Sequence, residues 1–198
     1  MLRIGLTGGL GSGKSTIAHI FEVLGIPVYY ADASSKKLMN EDGKVKAAVK
    51  NAFGKEVYPE GKLDRKYLAE IVFKDEKKLE LLNSIVHPAT LHDAAEWMKQ
   101  QTSPYAIKEA ALIFESGADK SLDYVIGVKS PLELRLQRTL KRDNISKDQA
   151  MARINQQMDE EAKINLCNFV IMNDEKQMVI PQVLEIHHKI LDLCKVQN

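Results

Sequence analysis

The chain carries Gly8-Gly9-Leu10-Gly11-Ser12-Gly13-Lys14-Ser15-Thr16 close to its beginning, and this stretch fits the pattern G-x-x-x-x-G-K-[ST]. The apolar segment Ile4–Leu6 precedes it and predicts a strand that leads into the loop. In such a loop the backbone N–H groups point inward and bind phosphate, Lys14 reaches the terminal phosphates, and the Ser15 hydroxyl holds Mg²⁺. A glycine-rich turn that arose by chance is the alternative.

The residues after the loop decide between these two interpretations. Ile17, Ile20, Phe21 and Leu24 fall at i, i+3, i+4 and i+7, which predicts a helix with one face toward the core, and Gly25 is typical of a helix end. Because the motif lies between a strand and a helix, the sequence predicts a phosphate-binding P-loop.

Composition limits the class of protein. The chain has 198 residues and a formal net charge of +1, so we expect a single domain without a general nucleic-acid or membrane surface. Cys167 and Cys194 form no metal spacing and are interpreted as reduced thiols of a cytoplasmic protein. No apolar run approaches the roughly 18 residues of a membrane span, and the first strand follows Arg3 at once, so neither a membrane helix nor a secretory signal is expected.

Asp32 is the first candidate catalytic residue after the loop. It follows a predicted strand, Val28–Tyr30, and ligands of open α/β sheets collect outside the carboxyl ends of the strands. A carboxylate there can accept a proton from an attacking hydroxyl. The alternative is that Asp32 is the N-cap of a helix that begins near Ser34.

Residues 34–102 show apolar stripes at helical spacing and no convincing strand. The stripes are Val45, Ala48, Val49 and Ala52; Leu68, Ile71 and Val72; and Leu79, Leu82 and Val86. An insertion this long predicts a helical subdomain that holds the phosphate acceptor. We expect Asp64 to cap a helix and His87-Pro88 to mark a helix break, with His87 a capping or packing residue. Arg65 either pairs with a phosphate or is a solvated surface residue.

Three further strands complete the predicted sheet: Tyr105–Ile107, Tyr124–Val128 and Phe169–Met172. Five short strands that alternate with helices predict an α/β fold with a parallel sheet. Glu109 and Glu115 follow the third strand, where P-loop enzymes carry an acidic residue near magnesium. Salt-bridge or capping roles are the alternative for both glutamates.

An arginine-rich helix is predicted to begin at Ser130-Pro131, with Leu132, Leu136 and Leu140 as its apolar stripe. Arg135, Arg138 and Arg142 lie along one flank of this helix. Three arginines on one strip favour an anion such as a triphosphate, and a solvated helix face is the alternative.

The last third of the chain is predicted to contain a lid and a closing helix. Residues 143–165 have the composition of a polar helical hairpin that moves as a lid. The closing helix should face the core with Val183, Ile186, Ile190 and Leu193.

Three classes of P-loop protein compete. A GTPase should carry Asp-x-x-Gly and Asn-Lys-x-Asp strings, and neither occurs in the sequence. A non-catalytic nucleotide-binding module explains neither Asp32 beside the loop nor an arginine-bearing lid. A small-molecule kinase needs positioned phosphates, a base, cations and closure against water, and it accounts for all of these features.

The sequence resembles the dephospho-CoA kinase family over nearly its whole length. The residues that carry the resemblance are Gly5–Thr16, Ala31-Asp32, Phe53-Gly54, Gly61–Arg65, Val72-Phe73, Leu82–Pro88, Leu112–Glu115, Arg138, Arg142-Asp143, Gln157 and Val170–Asn173. The glycine-rich and His-Pro strings are the most specific. The sequence departs from the family pattern at Tyr30, Ala111 and Asn168, where the family usually has Asp, Pro and Asp.

The resemblance implies transfer of the γ-phosphoryl of ATP to the 3′-hydroxyl of dephospho-CoA, with Mg²⁺ bound alongside ATP. It implies Asp32 as the base, Arg142 on the ATP phosphates, and Arg65 and His87 on the acceptor side. The expected ATP site is Gly9, Gly11, Ser12, Gly13, Lys14, Ser15, Thr16, Arg138 and Arg142. The expected acceptor site is Asp32, Phe53, Arg65 and His87; the expected catalytic residues are Asp32, Lys14 and Arg142, and Ser15 is the metal ligand.

The expected organisation is one kinase domain with two inserted parts. The core comprises residues 1–33, 104–136 and 167–198, the acceptor-binding insertion about 34–103, and the lid about 137–166. We expect a cytoplasmic monomer or small homo-oligomer whose partners are ATP and dephospho-CoA. A nucleoside-monophosphate kinase is the alternative enzyme.

Overall fold

The computed structural model describes residues 1–72 and 74–196; Phe73, part of one string that resembles the family, lies outside them. The strands are β1 (Leu2–Thr7), β2 (Val28–Tyr30), β3 (Tyr105–Glu109), β4 (Tyr124–Lys129) and β5 (Phe169–Met172). The helices are α1 (Lys14–Val23), α2 (Ala31–Glu41), α3 (Gly43–Phe53), α4 (Arg65–Val72), α5 (Glu76–Lys99), α6 (Leu132–Asp143), α7 (Lys147–Asn155), α8 (Glu160–Asn165) and α9 (Val179–Val196). Short 3-10 helices span Lys55–Val57, Pro59–Gly61 and Ala118–Ser121.

The strands form one five-stranded sheet in the order β2-β3-β1-β4-β5. In the central strand, Leu6 is in register with Glu109 of β3 on one side and with Ile126 of β4 on the other, and both pairings are parallel. Ile4 and Leu6 are fully buried, as expected for a parallel sheet covered on both faces. The predicted α/β fold with a five-stranded parallel sheet is confirmed.

The chain divides into two compact units. The sheet unit contains residues 1–29 together with the chain from residue 100 on, and the helical unit contains residues 30–99. Across the described residues, every helix falls short of the length and apolarity that a bilayer crossing requires.

The core of the sheet unit contains the predicted faces of its first and last helices. Ile17 and Phe21 of α1 are fully buried, and so are Val183 and Ile190 of α9. The Phe21 ring meets Tyr105 of β3 edge-to-face, with 6.4 Å between ring centroids.

The core of the helical unit joins the three stripes predicted from the sequence. Its buried members are Val45, Val49, Val57, Tyr58, Leu68 and Val72, with Leu79 and Leu82 packed against them. The Asp64 carboxylate accepts a hydrogen bond from the Tyr67 backbone N–H at 3.0 Å, so the predicted cap of α4 is confirmed.

The predicted helix break at His87-Pro88 is wrong, because α5 continues from Glu76 to Lys99 with Pro88 inside it. Proline removes one backbone donor from a helix interior, which weakens the helix locally. Contacts of α5 with α2, α3 and α4 favour the continuous form.

The buried face of α6 also differs from the prediction. Leu132 is exposed, whereas Arg135 and Thr139 are buried beside Leu136. The periodicity of the leucines therefore identified the helix but not its whole buried face. Arg135 is tolerated there because its polar atoms are paired, as described below.

Candidate active site

The glycine-rich loop connects the central strand to α1. Because α1 begins at Lys14, its first-turn N–H groups face the loop and lack partners within the helix. Gly11 has a φ of 77° and lies against α6; a Cβ there would strike the Arg135 carbonyl and come within 2.7 Å of the Thr139 hydroxyl. This geometry is typical of an anion-binding loop at a helix N-terminus.

The reactive side chains of the loop take distinct positions. Lys14 Nζ donates to the carbonyl oxygens of Gly8 and Gly9, at 3.0 and 3.2 Å. Ser15 and Thr16 are exposed in the first turn of α1. The Ser12 hydroxyl is buried and has no hydrogen-bond partner among the residues that the structure describes.

Asn173 connects the loop to Arg138. Its side-chain amide donates to the Ser12 carbonyl at 2.8 Å, and its own carbonyl accepts from Arg138 at 3.3 Å. Arg138 also donates to the Ser130 hydroxyl at 3.1 Å and to Glu175 at 2.9 Å. The structure therefore places Arg138 next to the loop, with Asn173 between them. Apart from the position of Asn173 after the last strand, no local pattern indicated this link.

Arg142 lies further along α6 and contacts the acidic side chain of Asp143. Its guanidinium bonds to the neighbouring Asp143 through two nitrogens, at 2.7 and 3.1 Å, and Asp143 also accepts from Arg153 at 3.2 Å. The role of Arg142 toward ATP stays a prediction.

Arg135 pairs with a glutamate of the protein, although the three arginines of α6 favoured an anion such as a triphosphate. It is 4% exposed and forms an ion pair with Glu160, and its Nε donates to the Leu10 carbonyl at 3.1 Å. Its anion is therefore a carboxylate of the protein, and Arg135 is part of the support beneath the loop.

The two glutamates after the third strand also differ from each other. Glu115 accepts from Lys163 Nζ at 2.7 Å and from the Met158 N–H at 3.0 Å, which is the salt-bridge alternative. Burial raises the pKa of Glu115, but the hydrogen bonds from Lys163 and Met158 outweigh it, so the pKa lies below its ordinary value. Glu109 is buried at the carboxyl end of β3.

Asp32 lies inside the first turn of α2 and is exposed. The N-cap of this helix is Tyr30, so the interpretation of Asp32 as an N-cap is wrong. A carboxylate in the first turn interacts favourably with the helix dipole. Because the Asp32 side chain is exposed, it is accessible to a substrate hydroxyl.

The other predicted acceptor residues lie at separate points of the helical unit. Phe53 packs against the apolar core at the end of α3, and Arg65 is exposed as the first residue of α4. His87 is half-buried in α5. Their roles toward a substrate stay predictions.

Comparison with known proteins decides the family. The family described as dephospho-CoA kinase matches residues 2–178. This chain belongs to the dephospho-CoA kinase family. The dephospho-CoA kinase of Bacteroides fragilis (strain YCH46) is 38% identical over 202 residues, covering 100% of this chain and 98% of the relative.

Two solved structures share the fold of this family member. The structure of TT1252 from Thermus thermophilus has a TM-score of 0.84 at 31% identity, covering 95% of this chain and 96% of that chain. The dephospho-CoA kinase from Campylobacter jejuni has a TM-score of 0.67 at 28% identity, covering 96% and 97%. The chain is accordingly a kinase, an ATP-dependent transferase.

Asn168 and Ala111, two residues at which this chain departs from the pattern of the dephospho-CoA kinase family, make hydrogen bonds within the fold. The Asn168 side chain accepts from the Val125 N–H at 2.8 Å, between β4 and the start of β5. The Ala111 carbonyl accepts from the Thr7 hydroxyl at 3.2 Å and from Lys163 at 2.8 Å. Ala111 therefore has a structural role close to the carboxyl edge of the sheet, and Asn168 has one at the amino edge, where β4 and β5 begin.

Proposed function

We propose that this chain transfers the γ-phosphoryl group of ATP to the 3′-hydroxyl of dephospho-CoA, with coenzyme A and ADP as products. One observation carries the proposal: the P-loop Gly8–Ser15 follows the central strand of a chain that belongs to the dephospho-CoA kinase family. The loop supplies the phosphate site that this reaction requires.

On the ATP side, backbone N–H groups of the loop and of the first turn of α1 would surround the β- and γ-phosphates. Lys14 Nζ, which bonds to the Gly8 and Gly9 carbonyls, lies within the loop and would exchange these partners for phosphate oxygens. Arg138, beside Asn173, and Arg142 would add positive charge as negative charge develops on the transferred group.

The residues of the loop fit a magnesium ion bound together with ATP. Ser15 presents an exposed hydroxyl in the first turn of α1, and oxygen ligands from one hydroxyl, phosphate and water are the set that Mg²⁺ prefers. Within residues 1–72 and 74–196, no group of three or more His, Cys, Asp or Glu side chains forms a separate metal site. When bound, Mg²⁺ neutralises charge on the phosphates.

On the acceptor side, Asp32 would accept the proton of the attacking hydroxyl. It follows β2 by two residues along the chain, and its carboxylate is exposed. A general base must come within hydrogen-bond reach of the proton that it removes. Phe53, Arg65 and His87 would bind the rest of dephospho-CoA, and the exposed guanidinium of Arg65 suits a phosphate oxygen.

The test is an acceptor comparison. The protein is incubated with ATP and Mg²⁺ and with either dephospho-CoA or a panel of nucleoside monophosphates, and ADP release and the mass of the product are measured. We expect phosphorylation of dephospho-CoA alone. Faster turnover of a nucleoside monophosphate would make the protein a nucleoside-monophosphate kinase, and ATP binding without ADP release would make it a non-catalytic module.

A further inference from the structure

The peptide groups of Leu10, at the tip of the P-loop, are held on both sides by side chains from distant parts of the chain. The Leu10 N–H donates to Gln157 Oε1 at 2.9 Å. The Leu10 carbonyl accepts from Arg135 Nε at 3.1 Å. A Cβ at Gly9 would strike the Arg135 guanidinium, so the glycine at this position lets the arginine approach the tip. The tip is therefore fixed by contacts outside the loop.

Both tethers depend on one short segment. Gln157 lies in the connection between α7 and α8, and Glu160, the ion-pair partner of Arg135, is the first residue of α8. We call residues 156–163 the α7–α8 segment. It lies inside the stretch predicted to be a mobile lid, yet Gln157 contacts the phosphate loop directly and Glu160 contacts it indirectly, through Arg135 of α6.

The α7–α8 segment is itself anchored to the sheet by a buried ion pair. Lys163 is 1% exposed, and its Nζ donates to Glu115 at 2.7 Å and to the Ala111 carbonyl at 2.8 Å. Glu115 also accepts from the Met158 N–H at 3.0 Å. Since the Ala111 carbonyl accepts from Thr7, the last residue of β1, this network connects the segment to the strand that leads into the loop.

A side-chain hydrogen bond to a backbone N–H fixes the orientation of that peptide group. In a P-loop the affinity for phosphate depends on several N–H groups that converge on one anion. Binding energy therefore depends on how well the loop is held in place before the ligand arrives. A tether at the tip lowers the cost of ordering the loop.

We propose that Gln157 is a positioning residue for ATP, which acts through Leu10 by holding the tip of the P-loop in its phosphate-binding conformation. The inference rests on the proposed function, because it requires ATP to bind in this loop. It assigns the α7–α8 segment a role as a support for the nucleotide site in addition to any closure over it.

The experiment compares Gln157→Leu with Gln157→Glu and with a control at the preceding residue, Gln156→Leu. Leucine keeps the bulk of Gln157 but removes the acceptor, glutamate keeps a carbonyl-type acceptor for the Leu10 N–H, and Gln156 is exposed. Two quantities are measured without the acceptor substrate: the hydrogen-exchange rate of the Leu10 amide by NMR, and the Kd for Mg-ATP by calorimetry. The KM for dephospho-CoA is measured separately.

We expect Gln157→Leu to speed exchange at Leu10 and to raise the Kd for Mg-ATP by roughly three- to tenfold, the usual worth of one hydrogen bond. The KM for dephospho-CoA should not change. Gln157→Glu should restore slow exchange at Leu10, and Gln156→Leu should match the parent in every measurement. A merely structural role would lower the melting temperature and leave the Kd unchanged.

Two results overturn the inference. One is a Gln157→Leu protein that binds Mg-ATP as tightly as the parent, whether or not Leu10 exchanges faster. The other is an equal loss of affinity in Gln156→Leu. A parent protein that binds no Mg-ATP would overturn the proposed function and the inference together, so the two failures are distinguishable.

Discussion

The phosphate loop of the sheet unit and the core of the helical unit are held in place by different kinds of contact. In the sheet unit, polar side chains from residues 135, 157 and 173 reach back to the loop at residues 10–12, more than 120 residues away along the chain. In the helical unit, the buried cluster consists mostly of aliphatic side chains between Val45 and Val72. Hydrogen bonds are directional and apolar burial is not, so the phosphate loop depends on single polar atoms and the helical unit on filled volume.

The largest expected effect tests whether the helical unit contributes to the chemistry as well as to binding. Asp32→Asn should lower kcat by about 10²–10⁴, the usual worth of a general base, and leave the Kd for ATP unchanged. Steady-state kinetics and ATP titration measure the two quantities. The control is Glu41→Gln, an exposed acid at the far end of the same helix. A kcat close to that of the parent would leave Asp32 with no more than a role at the start of α2.

The second prediction tests the polar interior of the sheet unit. Lys163→Met leaves Glu115 partly buried without its charge partner and should lower the free energy of unfolding by about 3–5 kcal/mol. Urea denaturation measures the change. The control is Lys50→Met in the helical unit, where Lys50 Nζ lies 5.4 Å from the centre of the Tyr58 ring, a contact worth up to about 1 kcal/mol. Equal losses in the two variants would remove the contrast between the units.

The third prediction tests whether the filled volume of its core stabilises the helical unit. Leu68→Ala should lower the free energy of unfolding by about 2–5 kcal/mol, since Leu68 is buried in the cluster around Val49. The Kd for ATP should stay at the parental value, because the loop belongs to the other unit. Leu81→Ala is the matched control, because Leu81 is exposed, and it should change stability by less than about 0.5 kcal/mol. A loss of ATP affinity in Leu68→Ala would show that the two units are not independent in this respect.

The smallest expected effect concerns a polar contact of the sheet unit away from the loop. The Tyr105 hydroxyl lies 2.6 Å from His187 Nδ1, and burial, followed by repulsion from His188, lowers the pKa of His187 below 6.5. As pH drops below about 6.5, the unfolded chain therefore binds more protons than the folded chain, and the free energy of unfolding falls.

Screening by solvent limits this contribution to less than about 1 kcal/mol. Thermal unfolding between pH 5 and about pH 8, the range in which histidine ordinarily titrates, measures the effect. The variant His187→Gln should show a shallower slope than the parent. An unchanged slope in that variant would assign the pH dependence to other groups.

Regular, local patterns made much of this fold predictable. The P-loop motif with its apolar flanks predicted β1, the loop and α1, and the boundaries of β2 and β5 match the structure. The stripes around Val49 and Leu68 predicted the helical core, because helical periodicity depends only on neighbouring residues.

The contacts that position the site were not predictable in the same way. The sequence contains Arg135, Gln157 and Lys163, but nothing local pairs them with Glu160, Leu10 and Glu115. Such pairs form only when the sheet brings distant segments together. Arg135 shows the consequence, since its spacing with Arg138 and Arg142 predicted a phosphate contact, whereas its partner in the structure is the carboxylate of Glu160.

Pro88 shows a case in which a local pattern was present but predicted the wrong structure. A local rule predicted a break in the helix, and tertiary packing of α5 against three other helices overrode it. Local rules are therefore most reliable where the surrounding contacts agree with them.

The central claim is that the loop at residues 8–15 binds the phosphates of ATP and that Lys14 stabilises the transferred group. The measurement is the turnover of dephospho-CoA by Lys14→Ala at saturating Mg-ATP, with His19→Ala, an exposed change on the same helix, as the control. We predict that Lys14→Ala lowers kcat by about 10²–10³, the usual worth of one preorganised donor, and that the control does not. Turnover by Lys14→Ala at the parental rate would contradict the account.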